Sequence, residues 1–144
     1  MGLDRGPDDA GLELRGGCQC GAVRYRALVK DDEAYYCHCR MCQKAFGNLF
    51  GAFFFAHRES VMWEAKEPAY FSSSKIARRG FCRECGTPLS FEDPQSGEVH
   101  LTVGSLDEPD SCGRWRTTAS RAVSAPSSPT TGCPGRGRKT MKAT

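Results

Sequence analysis

Leu12 and Leu14 alternate with polar residues up to Gly16-Gly17, and Val23, Tyr25 and Ala27 alternate with Arg24 and Arg26. An apolar side chain at every second position marks a strand with one buried face. Apolar stretches at 49–55, 61–63, 69–71, 76–81, 88–91 and 99–103 predict further short strands, the first of them dense in aromatics. Gly, Pro, Ser and Asp punctuate them at the spacing of an all-β domain. Tyr35-Tyr36 leads into a cysteine cluster, and residues 40–46 have room for one helical turn or two. The pattern predicts one mostly-β domain over 12–110, a small twisted β-sandwich-like fold.

The flanks read differently. Residues 1–11 are Gly, Asp and Pro with almost nothing apolar, and residues 111–144 lack alternation and are rich in Ser, Thr, Pro, Gly and Arg. Such segments bury too little surface to offset their ordering entropy, so both are expected to be disordered. The tail also changes the charge picture. It holds seven Lys or Arg and no acid, so the net +3 of the 144-residue chain hides a body of −4 over residues 1–110. An acidic body argues against a nucleic-acid-binding core. The longest apolar run, 49–56, is far short of the roughly 20 residues of a membrane span, and the N-terminus has no apolar signal stretch. A cytoplasmic protein is expected.

Nine cysteines carry the candidate chemistry. Seven lie in tight clusters: Cys18-Gln19-Cys20-Gly21, Cys37-His38-Cys39-Arg40-Met41-Cys42 and Cys82-Arg83-Glu84-Cys85-Gly86. A disulfide framework spreads its cysteines between distant loops, whereas clusters of this spacing in a reducing compartment read as zinc-ribbon-type metal ligands. Glycine after the last cysteine of the first and third clusters lets the backbone curl so that amide N–H groups can face sulfur. Zinc takes four ligands in a closed structural site and three protein ligands where a position stays open. Seven thiolates therefore divide into four and three, so two zinc ions are expected. The compact Cys37, Cys39, Cys42 cluster can hold one metal, and the two distant pairs can share another. Spacing leaves two other arrangements open, a single zinc with three spare thiols or a second structural site completed by His38.

The three clusters, with Ala22-Val23 after the first, Gln43-Lys44 after the second and Thr87-Pro88 after the third, resemble the glutathione-dependent formaldehyde-activating enzyme family, to which centromere protein V is related. Gly104-Ser105-Leu106-Asp107 matches that family's late strand, and the resemblance covers about 12–110. It implies a structural zinc on Cys18, Cys20, Cys82 and Cys85 and a catalytic zinc on Cys37, Cys39 and Cys42. The implied reaction joins formaldehyde and glutathione into S-hydroxymethylglutathione, as a carbon–sulfur lyase run in reverse. Three thiolates on zinc leave a net −1 charge, which weakens Lewis acidity but suits holding an incoming thiol as a nucleophile. The alternatives are a non-catalytic zinc scaffold that binds glutathione or a protein, and an enzyme on another small thiol or carbonyl compound.

Glutathione carries two carboxylates. Arg40 and Lys44 beside the second cluster, and Arg78, Arg79 and Arg83 near the third, are candidate partners for them, against the plainer reading of solvated surface charge. Gln43 and Asn48 are candidates for peptide-like groups. Phe46, Phe50, Phe53, Phe54 and Phe55 read as core, His57 and His100 as ordinary strand or surface histidines, and Cys112 and Cys133 as spare. The tail departs from the family, whose members continue with more strand and a late Asp-x-Leu-Pro segment. Two readings of residues 111–144 stand open, a basic tail that binds acidic partners and a product of translation out of frame from near Ser111.

Overall fold

The computed structural model describes residues 11–30 and 32–118. The expectations for residues 1–10 and 119–144, Cys133 included, lie outside the described residues. Among the described residues, ten strands and one α-helix follow one another as β1 (Leu12–Gly17), β2 (Arg24–Val29), β3 (Glu33–Cys37), α1 (Arg40–Phe46), β4 (Gly51–His57), β5 (Val61–Trp63), β6 (Ala69–Ser72), β7 (Arg78–Phe81), β8 (Pro88–Asp93), β9 (Glu98–Thr102) and β10 (Arg114–Thr118). They form two sheets, a three-stranded one ordered β1-β2-β5 and a seven-stranded one ordered β10-β3-β4-β9-β8-β7-β6. The mostly-β, two-sheet expectation holds. No helix among the described residues is long and apolar enough to cross a membrane.

The alternation read from the sequence fixes which face is buried. Leu14, Tyr25, Ala27 and Val29 of the small sheet meet Ala34, Phe54, Ala56, Val99 and Leu101 of the large one in a single core. Tyr25 is fully buried; its ring meets Trp63 edge-on, and its hydroxyl lies 2.7 Å from Ser105 Oγ. That bond satisfies a phenol that would otherwise be costly to bury. A Cβ at Gly16 would fall 2.4 Å from the Ser105 carbonyl oxygen and 2.5 Å from the Tyr25 hydroxyl. Gly16→Ala is therefore expected to destabilise the metal-loaded protein by ~1–3 kcal/mol, the usual cost of overpacking, read from urea denaturation. An unchanged midpoint would show that this corner yields freely.

The structure departs from the sequence reading at the C-terminal end. Residues 111–118 were expected to belong to a disordered tail. Instead Cys112 is 2% exposed and part of the core, and β10 pairs in parallel with β3, Arg114 opposite Glu33 and Thr118 opposite Cys37. Backbone pairing to the edge of β3 orders this strand, and such pairing leaves no apolar period in the sequence. It also makes β3, the strand that delivers Cys37, an internal strand.

Candidate metal centres

The seven clustered cysteines converge into two groups. Within Cys18, Cys20, Cys82 and Cys85, and separately within Cys37, Cys39 and Cys42, all sulfur atoms lie within 4.8 Å of one another. A tetrahedral zinc with sulfur at about 2.3 Å requires sulfur atoms roughly 3.8 Å apart. Cys18 Sγ lies 3.5 Å from Cys20 Sγ, and Cys20 Sγ lies 3.7 Å from Cys82 Sγ, so the four-cysteine set has the dimensions of that ion.

Two turns build the four-cysteine site. Cys18 begins where β1 ends, and Cys82 follows β7 directly. Gly21 and Gly86 close the turns with φ of 80° and 78°, a left-handed backbone that side chains resist. The curl aims backbone donors at sulfur. Val23 N–H donates to Cys18 Sγ at 3.2 Å and Glu84 N–H to Cys82 Sγ at 3.4 Å. The Thr87 hydroxyl sits 3.2 Å from Cys85 Sγ and accepts from Gln19 N–H at 3.0 Å, which ties one turn to the other. Hydrogen bonds of this kind disperse thiolate charge and orient metal ligands. The Thr87 hydroxyl, helped by the backbone N–H groups of Thr87 and Cys20, draws the Cys85 thiol down to about 5.

The three-cysteine site is made where β3 runs into α1. Cys37 ends the strand and Cys42 sits in the helix, 4% exposed. Cys39 is the N-cap, extended at φ −66° and ψ 153°, and its sulfur accepts from Cys42 N–H at 3.3 Å. The cap thus serves the helix and the cluster at once. Burial pushes the Cys42 thiol up to about 12, against the pull of the adjacent Arg79 guanidinium. His38 adds no donor to the cluster; its ring packs beside Phe50 with centroids 5.7 Å apart.

The structure separates the arginines that the sequence placed together. Arg79 is 9% exposed and reaches the second cluster rather than the third. Its Nη2 donates to Cys42 Sγ at 3.4 Å, its Nε to Ser73 Oγ at 3.1 Å, and its guanidinium carbon lies 4.8 Å from the Phe91 ring centroid. Arg78 points to the opposite face of the sheet and pairs with buried Glu92. Arg83 is exposed, in the turn between Cys82 and Cys85. Tyr35, two residues before Cys37, stacks on Phe53, and its hydroxyl lies 2.8 Å from His100 Nδ1. Burial raises the Tyr35 hydroxyl and lowers His100, which favours a neutral pair. The contact of Arg79 with the second cluster and the Tyr35–His100 pair were not foreseen from the sequence. The available signal is pleat parity, which sends Arg79 and Phe91, opposite each other in register, to the face that carries Tyr35 and Phe53.

The other candidates gather in one place. Arg40, Gln43, Lys44 and Asn48, with Gly47 and Leu49, line an open groove of about 470 Å³ along α1. Arg40 Nη1 donates to Gln43 Oε1 at 2.7 Å, and Gln43 Nε2 donates to the Leu49 carbonyl at 3.0 Å. The groove is therefore partly ordered by its own side chains.

Residues 13–120 match the model of the family described as glutathione-dependent formaldehyde-activating enzyme. The chain belongs to that family. It is 34% identical over 79 residues to an uncharacterized lyase of Schizosaccharomyces pombe, covering 55% of this chain and 57% of the relative. It is 28% identical over 108 residues to a protein of Halomonas elongata provisionally named a glutathione-dependent formaldehyde-activating enzyme, covering 65% of this chain and 66% of that relative. The chain thus spans less than two thirds of the length of each. A crystal structure of a Rhodobacter sphaeroides protein shares the fold with a TM-score of 0.60 at 21% identity, covering 73% of this chain and all of that one. Membership of this family and two cysteine clusters that can bind metal are thus in hand.

Proposed function

We propose that this family member is a zinc-dependent carbon–sulfur lyase, joining formaldehyde and glutathione into S-hydroxymethylglutathione at Cys37, Cys39 and Cys42. Cys18, Cys20, Cys82 and Cys85 hold a structural zinc in this reading. One observation carries it: three sulfurs converge with no fourth donor in their cluster among the described residues, the arrangement that keeps a coordination position for a ligand. Zinc bound there supplies an acidified, oriented thiol.

The chain's own groups do the rest. Arg79 offsets the negative charge of the cluster from 3.4 Å. Arg40 and Lys44 in the groove attract the carboxylates of glutathione, and Gln43 and Asn48 offer amide partners for its peptide groups. In the reaction, sulfur bonds to the carbonyl carbon, the π pair moves to oxygen, and oxygen takes up the proton that the thiol lost. The gain over the spontaneous addition is proximity and orientation. Chemistry on thiols and glutathione suits a reducing compartment, the cytoplasm in this reading.

The test couples metal counting to rate. Native mass spectrometry is expected to find two zinc ions in the wild type and one in Cys39→Ser. The glutathione-dependent rate above background is expected to fall at least ~100-fold in that variant, more than the 10–100-fold typical of losing a group that merely supports a ligand. A single zinc that survives Cys39→Ser, with no rate above background in either protein, would leave a structural zinc scaffold and remove the catalytic assignment.

A further inference from the structure

A second cavity, of about 210 Å³, lies between α1 and the β7–β8 turn and shares no lining residue with the groove of Arg40 and Lys44. Its walls are mostly apolar, Ala45, Phe46, Phe71, Phe81 and Pro88, with the buried Ser90 beside them, whose hydroxyl has no partner among the described residues. Phe71 is 63% exposed, an uncovered aromatic at the rim. The charged side chain lining it is Arg79, which joins the cavity to the three-cysteine cluster through its bond to Cys42 Sγ. The family's one-carbon aldehyde has two non-hydrogen atoms. The cavity is several times the ~30 Å³ that a water molecule occupies in the liquid, far more room than such an aldehyde fills.

From this we infer that the cavity is the subsite for the organic group of a carbonyl substrate larger than formaldehyde, with Arg79 donating to the carbonyl oxygen. Three features point to a neutral carbonyl compound with an apolar substituent of up to about the size of a phenyl ring. Arg79 is 9% exposed and fixed by Ser73 and Phe91, so its guanidinium is a preorganised donor. It has five N–H groups, and two are engaged in the bonds to Ser73 and Cys42. Its charge is already set against a thiolate cluster, and the cavity lining holds no other Lys, Arg, Asp or Glu, so a ligand needs no charge of its own. The chemistry is unchanged by the substituent: sulfur bonds to the carbonyl carbon, the C=O π bond opens, and oxygen takes the thiol's proton. The inference rests on the reading of the three-cysteine site as the place of thiol addition, but occupancy of the cavity can be measured without turnover.

The experiment titrates benzamide, an unreactive aryl carbonyl compound, into the zinc-loaded full chain by ligand-observed NMR. Benzoate is run beside it, and the two variants are Arg79→Met and Ala45→Trp. Ala45 is an exposed helix position, so the tryptophan fills the cavity without disturbing a packed core. Saturable benzamide binding is expected, stronger than that of benzoate. It is expected to weaken about 10-fold or more in Arg79→Met, as for loss of a charge-assisted hydrogen bond, and to vanish in Ala45→Trp with zinc content and far-UV circular dichroism retained. Propanal and benzaldehyde are then expected to be consumed with glutathione by the wild type. No benzamide binding alongside formaldehyde turnover overturns the subsite and leaves the proposed function standing. Benzamide binding with this mutational pattern, but no turnover of any aldehyde, supports the subsite and removes the reading as a thiol-addition enzyme. Tighter binding of benzoate than benzamide makes Arg79 a carboxylate clamp and overturns the assignment to neutral carbonyls.

Discussion

Cys82→Ser is expected to unfold the domain even with zinc in excess. Cys82 is fully buried, and its sulfur, 3.7 Å from Cys20 Sγ, joins turns that lie 62 residues apart. A structural zinc closing that loop contributes on the order of 10–16 kcal/mol by the measure of small zinc peptides. The whole stability of an ordinary domain is only about 5–15 kcal/mol. The remaining three thiolates could retain a weakened site, but the serine hydroxyl would stay buried without the metal that the thiolate served. The two turns also position β1, β7 and β8, so the loss spreads into both sheets. Far-UV circular dichroism and amide chemical-shift dispersion give the measure, with a strong chelator on the wild type as the matched control. A dispersed, native-like spectrum for Cys82→Ser would show that the two sheets hold together unaided. Cys39→Ser gives the contrast, since its site closes only the short span from β3 to α1 and is expected to keep the fold.

The two centres also differ in how far the sequence reveals them. Cysteine spacing and the glycines after Cys20 and Cys85 are local features, and they mark in the sequence the same seven cysteines that converge in the fold. The segment 40–46 coincides with α1, and the stretch 61–63 with β5, because a cap, a helix and a short strand are encoded within a few residues. The grouping of four and three was left open by spacing alone, since it depends on β1 and β7 ending side by side. Contacts written only in the register of distant strands stayed hidden. Arg78 and Arg79 look equivalent in the sequence, yet adjacent strand positions face opposite ways. One reaches the Cys42 thiol of α1 and the other enters the space between the sheets. β10 was missed for a related reason, because its order comes from pairing with β3 and its sequence lacks an apolar alternation.

That pleat parity sets up the second large effect, at the far face from the cysteines of α1. Glu92 is 2% exposed in the interior between the sheets. Arg58 Nη2 lies 2.6 Å from one of its oxygens and Arg78 Nε 3.3 Å from the other, while the Arg78 guanidinium carbon stacks 3.8 Å over the Tyr70 ring centroid. Burial and the Glu92 charge push the Tyr70 hydroxyl up to about 12, so it stays protonated beside the carboxylate. Glu92→Gln preserves the shape but removes the carboxylate that pairs with both guanidiniums. Removing one partner of a fully buried ion pair costs about 3–5 kcal/mol. Both arginines here keep about a third of their side-chain surface exposed, at 37% and 32%, so solvent screening lowers the expectation. A loss of ~2–3 kcal/mol remains, which corresponds to a fall of roughly 10–20 °C in Tm for a domain of this size. Arg58→Met with Arg78→Met and Glu92→Leu removes all three members of the ion-pair cluster together and is expected to recover most of that loss, because well-packed apolar groups commonly equal a buried ion pair. Thermal melts of the zinc-loaded proteins decide it. If Glu92→Gln melts with the wild type, the arginines find water without cost. If the triple variant is no better than Glu92→Gln, packing rather than uncompensated charge is what Glu92 supplies.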